Sequence, residues 1–146
     1  MMYLLDTNVV SELRKARGAQ GTSGRADRHV ANWAKSLPAE SMFLSVICIL
    51  EIELGVRLME RRDARQGAIL RTWTEKRVLP AFAGRILAID TAVARQCAAL
   101  HVPNPRSYRD SLIAATALVH GMTVVTRNEA DFEPTGVAIL NPWKLR

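Results

Sequence analysis

Short apolar runs alternate along this chain with longer segments whose apolar residues recur every three or four positions. Tyr3 to Asp6 (YLLD) reads as a strand passing directly into a helix from Thr7 to about Lys15. The next stretch, about 16–27, is rich in Gly, Ser and Thr and reads as a flexible loop inside one domain, not a boundary. Arg28 to Ser36 has helical spacing, Met42 to Leu44 is a short strand, and Ser45 is placed to cap a helix from Val46 to Glu60. A helix from Asp63 to Arg77 follows, then a strand Arg85 to Asp90 and a helix Thr91 to Leu100. After the loop HVPNPRS comes a helix Tyr108 to His120, closed by Gly121, and strands at Met122 to Thr126 and Val137 to Leu140.

Strands that alternate with helices imply an α/β fold whose mostly parallel sheet is covered on both faces. Ligands in such folds bind beyond the carboxyl ends of the strands. Asp6 stands at one such end and Thr126 to Asn128 at another.

At 146 residues, the length suits a single domain, 1–146, with one sizeable core. Apolar residues at 49% and charged residues at 23% exclude a disordered chain. The formal net charge of +6 favours an acidic partner, nucleic acid before protein. Cys48 and Cys97 sit in separate apolar segments without metal-ligand spacing, as buried thiols of a reducing cytoplasm would. Asp6 and Glu12 interrupt the N-terminus, which speaks against a signal peptide, and the apolar run Met42 to Leu50 is too short to span a bilayer.

Four acidic positions stand out, each open to two readings. Asp6 either caps the helix beside it or serves as a ligand at a strand end. On a helical wheel, Glu53, Arg57, Glu60 and Arg61 share a polar side, whereas Glu51 falls in the apolar arc between Ile47, Leu54 and Leu58. A carboxylate there needs either an arginine or a metal. Asp110 either completes a capping box with Ser107 or is a ligand at the start of its helix. Asn128, Glu129 and Asp131 form either a polar turn or another acidic corner. Carboxylates gathered in one pocket raise one another's pKa, and a hard divalent cation such as Mg²⁺ or Mn²⁺ relieves that repulsion. An acidic pocket, a hard metal and a basic surface together suggest phosphodiester hydrolysis.

The motifs around these acids resemble those of PIN-domain ribonucleases. LLDTNVVSEL (Leu4 to Leu13), LSVICILEIELGV (Leu44 to Val56), YRDSLIAATA (Tyr108 to Ala117) and TVVTRNEADF (Thr123 to Phe132) stand in the family's order, and FAGRILAID and VAILNPW are similar to the FitB-like branch of VapC toxins. The resemblance implies a three-layer α/β/α sandwich and a type II toxin that cleaves RNA with Mg²⁺ or Mn²⁺. It also implies a homodimer, neutralised by a small antitoxin that often binds DNA. Carried over, Asp6, Glu51 and Asp110 are the metal-binding acids, with Thr7, Asn8, Ser45 and Thr126 as neighbours or substrate contacts. Where some relatives have an acid after "TR", this chain has Asn128; Asp131 is then expected to supply the fourth carboxylate, with Asn128 assisting.

Two other readings compete. A haloacid-dehalogenase-like phosphatase also begins with a strand-end Asp, but wants a second Asp where Asn8 stands. An inactive PIN module that binds RNA or a DNA-binding repressor is the alternative favoured by Asn128. His29, His101 and His120 show no partner pattern, Trp33, Trp73 and Trp143 are expected to pack, and Arg57, Arg61, Arg62 and Arg65 read as either a solvated helix face or a stripe for phosphate or antitoxin.

Overall fold

The computed structural model describes residues 1–16 and 26–145. Five strands form one sheet: β1 (Tyr3–Leu5), β2 (Met42–Ser45), β3 (Ile86–Leu87), β4 (Thr123–Val125) and β5 (Ile139–Leu140). Their order is β3-β2-β1-β4-β5, and every neighbouring pair is parallel. The helices are α1 (Thr7–Ala16), α2 (Arg28–Lys35), α3 (Val46–Arg62), α4 (Ala64–Trp73), α5 (Leu79–Ala81), α6 (Thr91–Leu100), α7 (Tyr108–His120) and α8 (Glu129–Phe132). Most of the Gly/Ser-rich loop expected at about 16–27 lies outside the described residues.

Alternation along β1 divides the core in two. Tyr3 and Leu5 pack with Val9 and Val10 of α1, Val30 and Trp33 of α2, Cys48, Ile52 and Val56 of α3, and Trp73. Leu4, pointing the other way, packs with Ile113, Ala114 and Ala117 of α7 and Phe132 of α8. Alanines on α7 bring it close to the sheet at Ala114 and Ala117, and Ala115 turns to Val93 and Cys97 of α6. The result is the expected α/β/α sandwich, with a sheet buried on both faces.

Chain connections leave β1 on one side towards β2 and return on its other side at β4, so the strand order reverses at β1 and β4. The ladder extends one residue beyond the strands there. The Asp6 N–H donates to Val125 O (2.9 Å) and the Thr126 N–H to Leu140 O (3.0 Å), which sets Asp6 and Thr126 side by side.

Three expectations need correction. The strand foreseen at Arg85 to Asp90 pairs only at Ile86 and Leu87, because Asp90 leaves the ladder to cap α6, accepting from the Val93 N–H at 2.9 Å. The helix foreseen from Asp63 to Arg77 is regular only to Trp73. Thr74–Val78 forms a wider turn in which the Leu79 N–H reaches Thr74 O, with the Thr74 hydroxyl bonded back to Leu70 O and Pro80 just beyond. Asp63 itself is the cap of α4, accepting from the Gln66 N–H.

Glu51 is the third. The face of α3 that enters the core carries Cys48, Ile52 and Val56, whereas Leu54 and Leu58 are 40% and 61% exposed. The helix has two apolar stripes, and a wheel cannot tell which one meets the sheet. Glu51 therefore stands half-buried at the border between core and solvent. The polar side behaves as expected: Glu53 and Arg57 pair at 2.7 Å, and Arg71 of α4 bridges Glu53 and Glu60. Gly67 of α4 lies against the Glu60 backbone, where a Cβ would stand 2.4 Å from the Glu60 Cα. Among the described residues, no helix is long and apolar enough to cross a membrane.

Candidate active site

Asp6 is the innermost of the acids, only 7% exposed. Its Oδ1 accepts from the Thr7 N–H (2.8 Å), and its Oδ2 accepts from the Thr126 hydroxyl (2.8 Å) and the Asn8 Nδ2 (3.3 Å). Asn8 also donates to Thr126 Oγ1 and accepts from the Arg127 N–H, so it ties α1 to the loop after β4. The expected neighbours Thr7, Asn8 and Thr126 are thus all in contact with Asp6. The capping reading of Asp6 is met only in part: its carboxylate accepts from the Thr7 N–H, the first of α1, while the Val9 N–H goes to its backbone carbonyl.

Ser45 behaves differently. It is 1% exposed, and its hydroxyl accepts from the Ile47 N–H to cap α3. That bond is the capping role foreseen for Ser45.

Glu51 projects from α3, and its Oε2 lies 3.7 Å from Arg109 Nη1 at the start of α7. Arg109 was not among the sequence candidates, though it directly precedes Asp110 and Glu51 called for a cation. Asp110, in the first turn of α7, donates its N–H to the Ser107 hydroxyl at 3.5 Å, the forward half of the capping box. Asp131 lies in α8, whose first N–H groups follow Asn128, and its N–H donates to Asn128 O (3.1 Å). The Asn128 N–H donates to Thr126 Oγ1 (3.0 Å). Glu129, the other acid of that corner, is occupied elsewhere, accepting from Lys144 (2.5 Å) and Asn141 (3.0 Å).

The electrostatics bind these acids into one group. Burial pushes the Asp6 carboxyl up most, and the charge of Asp131 adds to the rise against the hydrogen bonds from Thr126 and Thr7. Burial likewise raises Glu51, with Asp6 and Asp110 adding to it while Arg109 opposes. Asp110 is raised by burial, then by Asp131 and Asp6. The charge of Asp131 thus acts on Asp6 and Asp110, that of Asp6 on Glu51 and Asp110, and that of Asp110 on Glu51. Beneath them, Cys48 is fully buried and its thiol is pushed up to about 12, chiefly by burial, which leaves it an inert neighbour.

The donor set suits a hard dication. All four side chains offer carboxylate oxygen, and the buried Thr7 Oγ1 has no partner at hydrogen-bond geometry, although it stands near enough to Glu51 to favour its charged form. Among the described residues, no three His, Cys, Asp or Glu side chains close around one point as a ready-made cage. Mg²⁺ does not require one, since it takes one or two carboxylates and keeps several waters.

Because the folded chain holds the Asp110 proton to higher pH than the unfolded chain does, ionisation of this carboxyl opposes folding. That cost is absent below the ordinary carboxylate value and grows as pH rises through the raised one. Asp110→Asn is therefore expected to stabilise the metal-free protein at pH 7, by about 1 kcal/mol or less after solvent screening. The gain should vanish below about pH 4, as read by thermal melts across pH.

Comparison with known proteins agrees with this geometry. The PIN domain family model matches residues 3–136. The VapC ribonuclease Y4jK of Sinorhizobium fredii is 38% identical, covering 98% of this chain and 99% of that protein. The toxin FitB of Neisseria gonorrhoeae is 37% identical, covering 97% and 99%. The crystal structure of FitAcB from the same organism superposes with a TM-score of 0.85 at 36% identity, over 99% of this chain and 100% of that one. The chain belongs to the PIN-domain family, alongside the VapC ribonucleases and the FitB toxin.

Proposed function

We propose that this chain is a metal-dependent endoribonuclease, the toxin of a type II toxin–antitoxin pair. The observation that carries the reading is the convergence of Asp6, Glu51, Asp110 and Asp131 where the strand order reverses, with Asp6, Glu51 and Asp110 each raised by the charge of at least one other of the four. Asp6, Glu51, Asp110 and Asp131 would hold Mg²⁺ or Mn²⁺. Bound there, the ion supplies Lewis acidity towards water and towards the scissile phosphate.

The chain's own residues do the rest. Thr126, Asn8 and the Thr7 N–H fix both oxygens of Asp6, so the carboxylate presents its remaining lone pairs in one orientation. Arg109, 54% exposed at its side chain, offsets part of the Glu51 charge and leaves a cation beside the acids for a backbone phosphate. Asp131 supplies the charge that Asn128 lacks, which weighs against the inactive-module reading. Asn128 holds Thr126 through its backbone.

The partners follow the relatives. FitAB has been solved bound to a DNA fragment, at 37% identity to this chain. An antitoxin that binds DNA is accordingly the partner proposed here, and RNA in the cytoplasm the substrate. An apolar groove with a cavity of about 330 Å³ between α1, α2 and the segment after α4, lined by Leu13, Ala34, Trp73 and Phe82, offers surface for a protein partner. The second apolar stripe of α3 (Leu50, Leu54 and Leu58, 52%, 40% and 61% exposed) supports the homodimer, since exposed leucines in a row are what a second copy would cover.

Purified, antitoxin-free protein is expected to cleave RNA with Mg²⁺ or Mn²⁺ and to stop with EDTA. Asp6→Asn should lower cleavage by at least about a hundredfold while the protein stays folded. Metal-independent cleavage, or full activity in Asp6→Asn, would contradict the reading. In sedimentation, Leu58→Glu is expected to convert a dimer to a folded monomer; an unchanged dimer would exclude this face of α3 from the interface.

A further inference from the structure

The start of α7, which carries Asp110, and the turn that follows α8, the helix of Asp131, are joined by a side chain that the chemistry above leaves without a role. Arg106 lies half-buried in the loop before α7. Its Nε donates to Leu100 O at the end of α6 (2.7 Å), and its Nη2 donates to Pro134 O (3.2 Å). Pro134 belongs to the tight turn Glu133–Thr135 that directly follows α8, the helix of Asp131. One guanidinium therefore fixes the approach to Asp110 against the exit from Asp131.

Arg106 is itself held from behind. Its backbone N–H donates to His101 Nδ1 at 3.3 Å. With Nδ1 accepting, the neutral ring carries its proton on Nε2, which donates to Ser111 Oγ at 2.9 Å. Ser111 is fully buried and directly follows Asp110. Its hydroxyl passes its own proton to Ser107 O (2.7 Å) and also accepts from Cys97 Sγ (3.4 Å). Ser107 in turn caps α7 at the Asp110 N–H. The same hydroxyl also lies 3.2 Å from Tyr108 O, so its proton stays within the first turn of α7 whichever carbonyl takes it.

We propose that Arg106, locked through His101 and Ser111, is a positioning residue that sets the separation between Asp110 and Asp131 for their shared metal. The inference rests on the metal-centre reading given under Proposed function. Only a planar fork reaches two carbonyls from different segments at once, so lysine is not equivalent here. Groups that orient metal-binding side chains, without touching the ion, commonly govern affinity by ten- to a hundredfold.

The test is Mn²⁺ binding to the full chain, measured by calorimetry and by the electron paramagnetic resonance of bound Mn²⁺. Arg106→Ala is compared with Val30→Ala, which opens a void in the core under α2, a helix that carries none of the four acids. We expect Arg106→Ala to weaken Mn²⁺ binding about tenfold and broaden the signal, while Val30→Ala loses melting temperature but keeps wild-type affinity. If Arg106→Ala fails to fold, Arg106→Lys is judged by the same criterion. Wild-type affinity in the Arg106 variant would overturn the proposal, as would affinity that falls in Val30→Ala in step with its stability. A wild-type protein that binds no Mn²⁺ would instead overturn the metal centre itself, and the brace with it.

Discussion

Like charges brought together repel, and in this chain Asp6, Glu51 and Asp110, each at least partly buried, lie within reach of one another's charge, with the exposed Asp131 acting on Asp6 and Asp110. Asp6, the most deeply buried, is kept ionisable by three donors: the Thr7 N–H, the Thr126 hydroxyl and Asn8. The bonds from Thr126 and Thr7 lower its pKa, yet burial and Asp131 outweigh them, so the net shift is upward. Glu51 has Arg109 at 3.7 Å, and Asp110 has the Ser107 cap, and for both the balance is again upward. The site is thus arranged to be incompletely satisfied by the protein alone. A purely structural cluster would be neutralised by its own cations, as the Arg71 bridge to Glu53 and Glu60 neutralises the surface of α3 and α4.

Parallel topology is what makes this gathering possible. Residues 6, 51, 110 and 131 are far apart in the chain, but every strand of the sheet runs the same way, so strand ends and helix starts collect along one edge. Reversal of strand order at β1 and β4 opens the crevice there. Asp6 and Thr126 meet across it because each continues the ladder by one backbone hydrogen bond. The helices then deliver the other acids: Glu51 from the border of α3, Asp110 from the first turn of α7, and Asp131 from α8, anchored by the fully buried Phe132.

The alternation of strands and helices, the buried β1 and the polar residues at strand ends were legible in the sequence, as were Asp27-side and Gly121-side helix limits within a residue. The depth of Glu51 was not. Two leucine-rich stripes on α3 look equivalent on a wheel, and only packing selects Cys48, Ile52 and Val56 for the core. The short β3 escaped because Asp90 has two possible uses, and its cap to Val93 wins over strand pairing. Ser45, by contrast, was legible as the cap of α3, and its hydroxyl accepts from the Ile47 N–H. Arg106 and His101 left no trace in the pattern at all. Their partners are backbone carbonyls and a serine brought close by tertiary folding, and no periodicity encodes such contacts.

The central claim is that these four acids bind one class of ion at one place. Titrating Mn²⁺ into isotope-labelled, antitoxin-free protein and following paramagnetic broadening by NMR locates the ion without any assay of cleavage. The account predicts that signals of Asp6, Thr7, Glu51, Asp110 and Asp131 broaden first and together. Broadening centred elsewhere, as on the exposed acids of α3 and α4, or spread evenly over the surface, would contradict it.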